Sequence, residues 1–161
     1  MHNISNMRKV ANMEERLVPE QELQEKGILI VTGSTLRAEQ GDRKLAYQIM
    51  HCIQERLYGC DACHTVVVSD LWYLNSEPLQ KLPTISIGGP NVNALAAHLY
   101  KQLPNTLIID RTLVIQMDPN LQDLRASVWG ASHCFTVDAV DLFVKRGYLD
   151  RFIDAAVAHL S

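Results

Sequence analysis

One repeated pattern sets most of what this chain can fold into. An apolar, β-branched run ends in a turn of small residues, and an amphipathic segment follows. The first copy is Ile28–Val31, then Thr32-Gly33-Ser34-Thr35, then a segment with apolar Leu45, Ala46, Ile49, Met50, Ile53 and Leu57. Steps of three and four put these side chains on one face of a helix. The second copy is Thr84–Ile87, then Gly88-Gly89-Pro90-Asn91, then Leu95, Ala96, Leu99 and Leu103 at the same spacing. The third is Leu124–Trp129, then Gly130-Ala131-Ser132-His133, then a helical segment stopped by Gly147. A last helix is predicted over Tyr148–Leu160, with a stripe of Leu149, Phe152, Ile153, Ala156, Val157 and Leu160.

Strands that alternate with helices bury both faces of a sheet, and the connections then run parallel. The expected fold is a three-layer α/β sandwich, Rossmann or flavodoxin-like, with a mostly parallel but mixed sheet. The mixture comes from Thr106–Asp110 and Thr112–Asp118, two further strand-like runs, and from Asp118–Asp123, a turn that predicts an antiparallel return. The run Thr65–Asp70 leads into Leu71–Pro83, long for a loop of this kind. Asp42 is expected to cap the first helix, Pro90 to occupy the first turn of the second, and Thr136 to cap the third.

The chain of 161 residues is long enough for one core. Residues 27–161 are read as a single α/β domain. Residues 1–26 are polar, with Met7, Val10, Met13 and Leu17 at rough helical spacing, and are read as a helical arm or tail. A net charge of −3 argues against nucleic acid as a partner. No apolar run reaches the length of a membrane span, and the opening residues lack the apolar segment of a secretory signal. Four cysteines without such a signal predict free thiols in the cytoplasm. A homodimer is the default expectation for oligomeric state.

In open α/β sheets, ligands bind beyond the carboxyl ends of the strands. The three small-residue turns lie there. They nominate Ser34, Thr35, Arg37, Gly88, Gly89, Asn91, Ser132 and His133 as binding residues for a small molecule, with helix starts nearby that favour an anion such as phosphate. The same residue types also suit strand-to-helix turns that bind nothing. No Gly-x-Gly-x-x-Gly follows a strand, and no Walker lysine pattern occurs, which disfavours a conventional dinucleotide or ATP site. The run Ser132-His133-Cys134 is not a Gly-x-Ser-x-Gly nucleophile elbow. If the chain is an enzyme, His133 is the first acid–base candidate; the catalytic residues and any cofactor stay unassigned.

The stretch Gly33–Ala46 resembles the opening of flavodoxin-like NADPH-dependent FMN reductases, in which a Gly-Ser-x-Arg type loop cradles the FMN phosphate. The resemblance implies phosphate contacts at Ser34, Thr35 and Arg37. It ends there: the chain has no separate flavin-contacting loop between Asp70 and Thr84, and a flavin is not expected. Ile87–Leu95 resembles a Gly-Gly-Pro-x-x-Asn loop of archaeal surface-layer domains, which implies a structural role. A non-catalytic subunit of an oligomer is therefore the alternative to a ligand-binding protein.

Cys60-Asp61-Ala62-Cys63-His64 has the letters of a c-type haem attachment site. It lies at a helix-to-strand connection, on the edge of the sheet opposite the predicted crevice, and no export signal precedes it. Haem is disfavoured on those grounds. Zinc held by Cys60, Cys63 and His64 with Cys52, or a redox dithiol, ranks behind incidental cysteines. Trp72 and Tyr73, just past the second strand, are read as packing their connection onto the sheet, or as forming a subunit contact, rather than stacking on a ligand.

Overall fold

The computed structural model describes residues 26–60 and 63–161. The arm expected at the start of the chain falls outside them, apart from Lys26. The sheet has six strands: β1 (Gly27–Thr32), β2 (His64–Ser69), β3 (Thr84–Ile87), β4 (Asn105–Ile109), β5 (Leu113–Met117) and β6 (Arg125–Gly130). The helices are α1 (Arg43–Arg56), α2 (Asp70–Leu74), α3 (Glu77–Gln80), α4 (Ala94–Leu99), α5 (His133–Lys145) and α6 (Tyr148–Leu160). The spatial order is β2-β1-β3-β6-β5-β4. The first four run parallel, and β5 runs antiparallel to both its neighbours. This is the expected three-layer α/β arrangement with a mixed, mostly parallel sheet.

The alternation of β1 shows why. Ile28 and Ile30 enter one core, Leu29 and Val31 the other, and all four are fully buried. A strand apolar on both faces belongs at the centre of a covered sheet. On the larger side, α1, α5 and α6 bring Ile49, Ile53, Phe143 and Phe152 against the strands. Each such burial contributes about 1.5–3 kcal/mol. On the other side, α2, α3 and α4 bring Tyr73, Leu79, Leu95 and Leu99. The long connection after β2 is thus two short helices. Tyr73 is buried and its hydroxyl accepts a 3.2 Å hydrogen bond from Thr84 Oγ1, so it packs the connection onto β3; Trp72 stays half-exposed.

Three expected helix starts are corrected. A single wide, π-helical turn, Ala38–Asp42, precedes α1, so Asp42 lies inside helical backbone and its side chain caps nothing. The helix α4 begins at Ala94, beyond Pro90. Its cap is Asn93, whose Oδ1 accepts from the amides of Leu95 and Ala96 while Nδ2 donates to the carbonyls of Val31 and Ile87. Ser132, rather than Thr136, caps α5; Thr136 Oγ1 accepts from the amide of Gly130 and donates to the carbonyl of Ser132.

The chain crosses β1 on its way from β2 to β3. The connection leaving β1 goes to the α1 face, and the one leaving β3 goes to the α4 face. Their ends diverge and leave a crevice between them, the geometry that makes this edge of a parallel sheet concave. Among the described residues, no helix is long and apolar enough to cross a membrane.

Candidate functional site

Beyond the carboxyl ends of β1, β3 and β6 lies a cavity of about 700 Å³, within the range of small-molecule sites. Three segments build it. The wide turn before α1 contributes Gln40, Gly41 and Asp42, with Arg37 just ahead of it; the turn after β3 contributes Gly89, Pro90, Asn91 and Val92; the end of β6 and the start of α5 contribute Trp129 to Cys134 and Thr136. Single π-helical turns recur at functional sites because the extra residue re-aims its neighbours.

At its centre is an Asp–His pair drawn from distant parts of the chain. His133 Nδ1 lies 3.1 Å from Asp42 Oδ1. The Asp42 side chain is only 7% exposed, whereas that of His133 is 53% exposed. Burial pushes the Asp42 carboxyl above its ordinary value, opposed by the hydrogen bond and charge of His133. Two glycines make room. A Cβ on Gly41 would stand 2.7 Å from His133 Cε1, so the imidazole packs directly on the backbone. Gly88 has φ +106°, a conformation that favours glycine, and a Cβ there would stand 2.6 Å from Asp42 Oδ2.

Around this pair lie groups that can donate hydrogen bonds. Arg37 is exposed at the rim and has no ion-pair partner among the described residues. The amides of His133 and Cys134 open α5, where no preceding turn supplies carbonyl acceptors. The indole of Trp129 lies against Gly89 and adds an apolar wall.

Of the residues nominated by the sequence, Arg37, Gly89, Asn91, Ser132 and His133 line this cavity together. Ser34, Thr35 and Gly88 do not. The Ser34 hydroxyl donates to Asp70 Oδ1, and Thr35 Oγ1 accepts from the amide of Ala38. Gly88 lies beneath Asp42. The residue that sequence reasoning missed is Asp42. Its signal was its position: like His133, it precedes or opens a helix on the same edge of the sheet.

Cys60, Cys63 and His64 lie at the other end of β2, beside a pocket of about 200 Å³. All four cysteines are free. Among the described residues, no three His, Cys, Asp or Glu side chains are grouped so as to hold a metal ion. Burial pushes the Cys63 thiol up, helped by the nearby Cys60, the opposite of what an activated thiolate requires.

A comparison with models of known protein families gives no match, and neither does a comparison with curated proteins.

Proposed function

We propose that the protein binds a small anionic molecule, phosphate-bearing in the simplest case, in the crevice at the carboxyl edge of its sheet. The observation that supports this most directly is the convergence on one cavity of the opening amides of α5 and an Arg37 guanidinium without an ion-pair partner among the described residues. A guanidinium and free helix amides are the two groups that phosphate recognition most often employs. The site residues on this reading are Arg37, Gly89, Asn91, Ser132, His133 and, added by the geometry, Asp42. The cytoplasm is the proposed compartment, consistent with four unpaired cysteines.

The test is titration of the purified protein with ethyl phosphate, followed by NMR. Shifts confined to Arg37, Gly89 to Val92 and Ala131 to Cys134 are expected. R37A should weaken binding about tenfold or more, as loss of a charge-assisted hydrogen bond does. Absence of shifts at millimolar ligand, or an R37A variant that binds as the wild type does, sinks the proposal.

A second reading has its own observation. Leu36, Leu71 and Trp72 are more than half exposed, on segments tied together by the hydrogen bond of Ser34 to Asp70. Exposed apolar residues brought together favour an interface, and a homodimer is proposed through this region. Light scattering on the wild type and on W72S checks it: a dimer that W72S weakens is expected, and a monomeric wild type would exclude it.

A further inference from the structure

We propose that Asp42 and His133 form a proton-transfer dyad whose outer nitrogen, Nε2, serves the bound molecule, and that this molecule is an anion carrying a hydroxyl group of its own. The inference rests on the ligand-site reading above and names the class of ligand it takes.

With Asp42 ionised, the contact assigns the roles. An ionised carboxylate only accepts, so at 3.1 Å from Asp42 Oδ1 the Nδ1 of His133 carries the hydrogen and donates it. In the neutral ring the lone pair is then on Nε2. His133 lines the cavity with half its side chain exposed, so that lone pair is open to an occupant. The pairing is built rather than incidental. Asp42 is buried, its Oδ1 has no other donor among the described residues, and the backbones of Gly41 and Gly88 make room for the two side chains. The contrast is His51 with Glu55, the same two chemical groups at 3.2 Å on one helix face, where both side chains are about 70% exposed.

The step is a simple one. The ligand O–H bond breaks, the proton forms a bond to Nε2, and the electron pair stays on the ligand oxygen. The imidazolium is held by Asp42, and the reverse transfer returns the proton. No electron changes centre and no co-reactant is needed. His133 touches the ligand; Asp42 acts through it, as a positioning residue.

The experiment compares 2-hydroxyethyl phosphate with ethyl phosphate on protein labelled with 15N at histidine, the His133 signals being assigned by their loss in H133Q. The free protein should show His133 as the Nδ1–H tautomer. The hydroxyl-bearing phosphate should bind about five- to thirtyfold more tightly, the value of one hydrogen bond met or missed. In D42N the amide can donate to Nδ1 and move the ring hydrogen to Nε2, which removes the proton-accepting lone pair there, so the preference for the hydroxyl-bearing phosphate should fall. Equal binding of both phosphates to the wild type, or His133 found as the Nε2–H tautomer, overturns the dyad and leaves the anion site standing. Binding of neither overturns the anion site and this inference with it.

Discussion

Two buried aspartates stand on the same edge of this sheet and do opposite things. Asp70, at the start of α2, is satisfied on both oxygens: Oδ1 accepts from the Ser34 hydroxyl and, at 2.8 Å, from the amide of Leu71, and Oδ2 accepts from the amide of Ala94 at 2.8 Å. It ties together the ends of β1 and β2 and the start of α4. Among the described residues Asp42 has one side-chain partner, a half-exposed histidine, and its second oxygen occupies space that a Cβ on Gly88 would need. A carboxylate with three protein donors has nothing left to offer a ligand. One whose burial is only partly compensated is an expense that stability alone would not retain. The difference separates a fastener from a functional group, though both are acidic, buried and next to a turn.

The comparison can be broken at Asp70 first, where the larger effect is expected. D70A leaves one hydroxyl and two amides without their acceptor and should cost about 3 kcal/mol, seen as a fall in Tm of roughly 10 °C. D70N should cost less than D70A but more than S34A. Whichever oxygen becomes an amide, its N–H groups meet either the amide of Leu71 or that of Ala94, donor against donor. S34A removes one donor and leaves the two backbone bonds intact. Thermal unfolding of the three variants checks the order, and a D70A variant as stable as the wild type would show that Asp70 is no fastener.

The same pair explains what could be read from the sequence. Strand and helix periodicity located the sheet and its ligand edge, because burial on alternate faces or on one helical stripe leaves a local record in residue type. The three turns were legible for the same reason. What their side chains do was not. Ser34 was expected to face phosphate, but its hydroxyl is taken by an aspartate 36 residues away, and Asp42 meets a histidine 91 residues away. A short side chain at a turn can face inward or outward with the same local sequence, and only tertiary distance decides. Asn93 is the intermediate case: an asparagine just ahead of an apolar helical run is a cap by local chemistry, yet Pro90 drew the expected helix start too early.

The finest test of the comparison is D42N against D70N, since the same substitution should reverse its effect. Burial raises the Asp42 carboxyl above its unfolded value. A group raised in this way contributes stability that is fully present below the unfolded value near 3.8 and is lost as pH rises through the folded one. At neutral pH the ionised Asp42 is therefore a cost, offset in part by His133. Asparagine has no charge to desolvate and nearly the same shape. D42N should unfold at the wild-type temperature or slightly above it at pH 7, within about 1 kcal/mol, and that relative gain should shrink as the pH is lowered through the carboxylate range. Denaturant unfolding at a series of pH values measures it. A D42N variant as damaged as D70N would make Asp42 a second fastener and remove the physical argument for reserving it to His133. A variant that keeps its stability while losing the hydroxyl preference at the cavity shows that this carboxylate is held for its effect on His133 rather than for the fold.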